Sequence, residues 1–456
     1  MSARRIPVIV VAGHPALGLA VSTTGRFIAD ALHASGRFDV HYVGRGAVAA
    51  RSPFHAVPVE SDADDAFGER TVPRLVRELR AAHPDEDRFI VVATGPIHRT
   101  HAVIRRLTLA GLRNDVVIVG HAPVEAAPLP GASLRILREF DVVVPYNEFG
   151  YRAIVHAADG GALPPIAEPI SLPVPDVFRP LDATSRSEAR RALVDASPND
   201  LVIGTFARNV GAKRLGLVTH LVRLLARGEY GHCANCNAIS SDRLDPVTFA
   251  SSAVSECRIC GGPLERALPR PNVRAYIHTD TPEHSDIERV EGFDLDALVA
   301  RHGIGSIVRI DRSMRHGLGV STEETARRMA ACDVHLLPLA ASSWEVAVLE
   351  TGACGVPSVV TNVAGPADYA GPFSLLVEPA TWQARASGVM LAEVATDDAL
   401  TALVRLADDP LLRQRLGAAG PAVAEAHGVQ RFGDRWIDLL PVLDRRHPST
   451  TATTAR

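Results

Sequence analysis

The stretch CDVHLLPLAASSWEVAVLETGACGVPSVVTNVAG, residues 332–365, sets four pieces in succession: an apolar run (DVHLLPL), a loop of small residues (Ala340–Ser343), a helical segment carrying Glu350, and a second apolar run opened by Pro357. Gly355 suits the position just past a helix end, where the backbone turns left-handed, and Pro357 cannot continue a helix. Strand, loop, helix and strand in this order form the unit that joins parallel strands.

The alternation extends outward in both directions. IPVIVVA, FDVHYVG, FIVVATG, DVVIVGH and FDVVVPY read as strands in the first third of the chain, with helical stretches such as VPRLVRELRAAH and HAVIRRLTLAGL between them. A proline-rich segment follows, and the alternation restarts with LVIGTFA, RLGLVTHLVRLLARG, VRAYIHT, SIVRI, DVHLLPL and PSVVTN. This predicts two doubly wound α/β domains, which a length of 456 residues also favours over one core. The expected boundaries are a first Rossmann-like domain over 1–170, a linker over 171–185, a second Rossmann-like domain over 186–425 with an insertion at 230–266, a C-terminal helix over 426–446, and a disordered tail over 447–456. Residues beyond about 385 read as helical throughout.

The bulk composition selects no special class. Hydrophobic residues make up 46% and charged residues 22%, and the net charge of −4 argues against wholesale wrapping of nucleic acid. The apolar start is interrupted by Gly13, His14 and Pro15, unlike a secretory signal, and no run is long enough to span a membrane. A soluble, cytoplasmic protein is expected, with peripheral membrane contact left open.

One basic residue stands apart. Of the 48 Lys+Arg positions only Lys213 is lysine, and it lies in GTFARNVGAKR five residues after Arg208. A chain that otherwise uses arginine keeps a compact point charge here, at the carboxyl end of a strand and just before a helix. Ligands bind at that edge of open α/β sheets, and two cations there suit a diphosphate, with Arg208 bridging oxygens and Lys213 neutralising charge on a departing phosphate. Glu350, on the helix after the small-residue loop, reads either as a carboxylate suited to two ribose hydroxyls or as a solvated helix residue.

Six cysteines divide into Cys332 and Cys354, which read as small core residues, and two CxxC pairs, Cys233/Cys236 and Cys257/Cys260. Paired knuckles at this separation suit a tetrahedral structural zinc ion held by four thiolates, with two disulfides as the rival. The insertion has few basic residues (Arg243, Arg258, Arg266) and Phe249 as its aromatic, which makes it a poor nucleic-acid module, though that role is not excluded.

Taken together, PVPDVFRPLD, the Arg-x4-Lys loop, YIHTD and the block from CDVHLLP to VLETGACGVPSVVT resemble the retaining nucleotide-sugar glycosyltransferases of family 4, which have the glycosyltransferase-B (GT-B) fold of two facing Rossmann-like domains. The resemblance implies that Arg208 and Lys213 contact the donor diphosphate and that Glu350 holds the ribose, as the second glutamate of a Glu-x7-Glu motif. It also implies a nucleotide-diphosphate sugar as donor, retention of anomeric configuration, a donor phosphate that takes the acceptor proton, and no catalytic metal. The first glutamate of the motif is replaced by Ser342, and Ser343, Trp344 and Glu345 stand where glycines are usual. Trp344 covers the donor sugar or fills the core, and Glu345 either replaces the missing carboxylate or caps the helix. Gly18 matches a loop that approaches the donor phosphates. His121 and Glu125 fall where relatives carry the residue beside the reacting sugar; His14, His98 and His101 are weaker candidates.

Two rival readings remain. A glycosyltransferase-A enzyme would bind metal through Asp294 and Asp296, although Asp at a helix start is a common cap. A degenerate, non-catalytic GT-B-like protein would use the zinc ribbon to recruit a protein or nucleic-acid partner.

Overall fold

The computed structural model describes residues 5–13, 20–45, 55–59, 65, 68–158, 161–163, 165–280, 292–313 and 320–445. The chain divides into two compact units, one of residues 1–173 with 427–456 and one of residues 174–426.

The first unit is built on a six-stranded parallel sheet in the order His55–Val59, Phe38–Arg45, Ile6–Gly13, Phe89–Thr94, Val116–Ala122, Val142–Pro145. Strands such as Val116–Ala122 are buried along their whole length, because helices cover both faces of a parallel sheet. The helix Val429–Arg445 closes one face. Its Phe432, Trp436, Leu440 and Leu443 recur at steps of four, four and three, and this stripe packs with Val8, Val10, Ile28 and Leu32 in one apolar cluster. The C-terminal helix expected on its own is thus part of the first unit.

The second unit repeats the topology. Its parallel order is Val308–Asp311, Val273–His278, Leu201–Phe206, Val334–Leu337, Ser358–Thr361, Ser374–Val377. Numbered by appearance within each unit, both sheets run 3-2-1-4-5-6, so the strand order reverses between the first and fourth strands. In the second unit that switch point lies between Leu201–Phe206 and Val334–Leu337, and ligands bind outside the carboxyl ends of such a pair.

Two elements differ from expectation. The linker ends early, because Asp182 caps a helix over Ala183–Val194 by accepting from the Thr184 and Ser185 amides at 3.0 and 2.9 Å. Residues Thr381–Ala384 and Met390–Glu393 pair as an antiparallel hairpin, so the all-helical reading beyond 385 fails until Thr396. Short strands of mixed polarity give no helical or alternating signal strong enough to find from sequence.

The helix Val346–Ala353, which carries Glu350, lies against the helix Pro410–Glu425. An added Cβ on Gly420 would collide with the Gly352 carbonyl, so this approach depends on the missing side chain. The expected tail over 447–456 and the candidates Gly18 and His14 lie outside the described residues.

Candidate functional site

The strand Leu201–Phe206 ends in a loop that a single carboxylate organises. Asp280 accepts the Asn209 backbone amide at 2.6 Å through one oxygen and the Arg208 Nε at 3.3 Å through the other. The Asn209 side chain in turn exchanges two hydrogen bonds with the Phe293 backbone, each 2.8 Å long. A single 3-10 turn over Gly211–Lys213 and a left-handed Arg214 then feed the helix Leu215–Arg227. Arg208 is 44% exposed, so its guanidinium remains open to solvent beyond Asp280.

The second loop meets the first across the switch point, where the Ala340 amide donates to the Ala212 carbonyl at 2.7 Å. Lys213 Nζ forms an ion pair with Glu345 and lies 3.4 Å from the Ser342 hydroxyl, which donates to the same Glu345 oxygen at 3.0 Å. The side chains of Lys213 and Glu345 are 17% and 10% exposed. Sequence reading found the two cations of this loop but not that each already has a carboxylate partner.

Glu345 precedes the helix Val346–Ala353 without capping it through its side chain. Trp344 is buried beside Tyr369, with ring centroids 4.5 Å apart, so of its two expected roles the structure supports core packing. Glu350 is half-buried, and no described residue hydrogen-bonds or ion-pairs with its carboxylate. Burial, and next the Glu345 charge, push its pKa up to about 8. It is therefore largely protonated at neutral pH.

The sign of the Glu350 shift has a measurable consequence. A carboxyl whose pKa is higher folded than unfolded binds more protons in the folded state between about 4.5 and 8, so its contribution to stability falls as pH rises through that window. Glu350→Gln is expected to melt above the wild type at pH 8. A variant that melts lower at pH 8 would contradict this reading.

In the first unit, His121 sits inside the fold rather than at a surface. It is 1% exposed, its Nε2 donates to the Ile170 carbonyl at 2.6 Å, and its ring packs 4.3 Å from Tyr146 and 5.2 Å from Trp436. Burial lowers its pKa to about 4, so the ring stays neutral and braces the core instead of exchanging protons with solvent. Glu125 and His98 are exposed, and His101 pairs with Glu139 at 3.0 Å.

Burial depresses three further histidines: His278 and His302 to about 4 and His335 to about 3. The unfolded chain takes up protons near pH 6.5 that these folded rings refuse until about 4, so stability is lost as pH falls through that window. Melting temperature is expected to drop progressively from pH 6.5 to 4; a flat profile there would count against these assignments.

The Asp-x-Asp reading dissolves into ordinary structure. Asp294 caps the helix Leu295–His302, accepting from the Ala297 amide at 3.0 Å, and the exposed Asp296 pairs with Arg312 at 2.6 Å.

The four insertion cysteines converge. Cys233, Cys236, Cys257 and Cys260 hold their sulfurs within 4.8 Å of one another, and the closest pairs are 3.4 and 3.5 Å apart. A tetrahedral ion with thiolate bonds of about 2.3 Å spaces its ligands about 3.8 Å apart, so the donor set fits one metal better than two separate S–S bonds. Each knuckle closes with a backbone bond, Asn237 to the Cys233 carbonyl and Gly261 to the Cys257 carbonyl, both 2.9 Å. Both turns use positive φ, 59° at Asn237 and 71° at Gly261.

Two of the three arginines that a nucleic-acid interface would need free are engaged in ion pairs. Arg258 fastens the insertion to its unit by pairing with Asp397 at 2.6 Å, Arg266 donates to Asp242 within the insertion at 2.8 Å, and Arg243 is exposed. Asp397 also accepts from the Ser241 amide and hydroxyl at 2.9 and 2.6 Å. Phe249 lies under Arg301, 5.5 Å from ring centre to guanidinium. Among the described residues no helix is long and apolar enough to cross a membrane.

Residues 308–392 match the family model for Glycosyl transferases group 1. Over 141 residues the chain is 33% identical to the D-inositol 3-phosphate glycosyltransferase of Arthrobacter sp. (strain FB24), a match covering 30% of this chain and 29% of that relative's length. The fold is similar to sucrose-phosphate synthase from Thermosynechococcus elongatus (TM-score 0.66, 14% identity, 96% of this chain and 99% of the other). It is also similar to HepE of Anabaena solved with UDP-glucose (TM-score 0.62, 15% identity, 96% and 99% covered). A third likeness is to α,α-trehalose 6-phosphate synthase from Burkholderia multivorans (TM-score 0.60, 12% identity, 97% and 99% covered). These likenesses give the chain a GT-B-like α/β fold.

Proposed function

We propose that the protein is a retaining glycosyltransferase that moves a sugar from a nucleotide-diphosphate sugar to an acceptor hydroxyl. The observation that carries this reading is the cluster of Lys213, Ser342 and Glu345 at the switch point of the second sheet, with Arg208 on the same loop as Lys213 and the unpartnered Glu350 on the helix that follows Glu345; that edge is where an open α/β sheet holds a nucleotide. The match of residues 308–392 to the group 1 family supports it, because that segment contains Ser342, Glu345 and Glu350.

In the proposed reaction the bond between the anomeric carbon and the diphosphate oxygen breaks, and the acceptor oxygen bonds on the same face. The acceptor proton passes to the departing phosphate. Arg208 and Lys213 stabilise the charge that grows on the diphosphate, and Glu350 holds the ribose. The four cysteines would hold a structural zinc ion, which supplies folding free energy to the insertion rather than chemistry. UDP-glucose is the first donor to test, because the HepE fold neighbour was solved with it. Thermal shift against UDP-, GDP- and ADP-glucose, followed by a hydrolysis or transfer assay, tests the reading: selective binding raises the melting temperature. No shift with any nucleotide would overturn it.

A further inference from the structure

Before any ligand arrives, the anion-binding loop is electrically balanced. Arg208 faces Asp280, Lys213 faces Glu345, and the partly buried Glu350 is largely protonated at neutral pH. A diphosphate therefore cannot simply fill a positive pocket; it competes with carboxylates already in place. The two contests differ. Asp280 keeps the Asn209 amide when Arg208 turns away, and Arg208 is exposed enough to do so at small cost. Glu345 is 10% exposed and would keep only the Ser342 hydroxyl, 3.0 Å from the oxygen that Lys213 also holds.

Resting on the donor reading above, we propose that Glu345 is a specificity-determining residue: it yields Lys213 to the donor diphosphate and accepts hydroxyl hydrogens of the transferred sugar in exchange. Whether the ammonium leaves Glu345 or spans both anions, the carboxylate loses part of its counter-charge in a poorly solvated place, where an under-satisfied charge is costly. A nucleotide sugar brings hydroxyl donors that make good the loss. A free nucleoside diphosphate brings the charge without the donors. Glu345 thus favours the intact donor over the spent nucleotide and helps expel the latter once the sugar has gone. Ser342 is the positioning residue, since its hydroxyl fixes the oxygen that Lys213 uses.

The test is calorimetric titration of the full chain with UDP, GDP and ADP and with their glucose conjugates. For the base that the wild type binds, Glu345→Gln is expected to tighten the free diphosphate about tenfold, the effect of removing roughly 1.4 kcal/mol of like-charge opposition, and to leave the glucose conjugate no tighter than before. Glu345→Asp, which keeps the charge, should restore the wild-type order. Equal shifts for the two ligands overturn the proposal. The wild type supplies a test that needs no variant: the glucose conjugate should bind more tightly than the free diphosphate, and the reverse order overturns the proposal too. Failure of all six ligands to bind the wild type would remove the donor reading itself, whereas binding without the split removes only the role of Glu345.

Discussion

Lys213→Ala is expected to lower kcat/KM by about 10²–10³, the loss of roughly 2.7–4 kcal/mol that follows removal of one donor aimed at a developing anion. The same substitution has a second consequence. It strands Glu345, whose remaining described side-chain partner is the Ser342 hydroxyl, and removing one member of a buried pair costs about 3–5 kcal/mol when the other stays charged. The two effects separate in the double variant Lys213→Ala/Glu345→Gln, which should regain melting temperature and stay inactive. Steady-state kinetics and thermal melts of the three proteins decide the matter. An active Lys213→Ala enzyme would sink the leaving-group role, and a double variant that regains activity would show that Lys213 serves only to neutralise Glu345.

Stripping metal from the cysteine cluster is expected to have the largest effect on stability. An insertion of this size buries little surface by itself, and zinc binding to four thiolates contributes on the order of 10 kcal/mol to folding such a module. The insertion is tied to the second unit by Arg258 and Ser241 on Asp397, by Arg270, which donates to the Tyr230 hydroxyl at 3.0 Å, and by Arg223, which donates to the Phe249 carbonyl at 3.0 Å. Arg223 belongs to the helix that follows Lys213, so loosening the insertion loosens the support of the loop from Arg208 to Lys213. If only about 3 kcal/mol of the metal's contribution is shared, a domain this large should melt ~10 °C lower after chelation. Cys257→Ser should do the same. Elemental analysis should give one zinc per chain, and a metal-free protein with unchanged melting would refute the site.

Much of this organisation is legible in the sequence because it depends on local rules. Apolar strand runs, the Gly355 and Pro357 punctuation, the CxxC spacing and the solitary lysine are each carried by a few adjacent residues. What escaped prediction depends on partners far along the chain. Glu345 lies 132 positions from Lys213, and Asp280 lies 72 from Arg208. His121 looked like a proton-transfer group because it falls where the resembled family carries the residue beside the reacting sugar. The Ile170 carbonyl and Trp436, which make it a neutral core residue, are 49 and 315 positions away. Trp436 itself could be assigned to a helix from its spacing, but not to the sheet that the helix covers.

The sequence by itself determined two doubly wound sheets, the pair Arg208 and Lys213 after the first strand of the second one, and a four-thiol cluster inserted beside it. It could do so because period, punctuation and ligand spacing are properties of short segments. Only the tertiary structure decided the charge state of the site: which carboxylate answers each cation, that Glu350 is largely protonated at neutral pH, and that Arg258 of the insertion is spent on Asp397. Those outcomes follow from burial and from pairings between distant segments, and neither exists until the chain has folded.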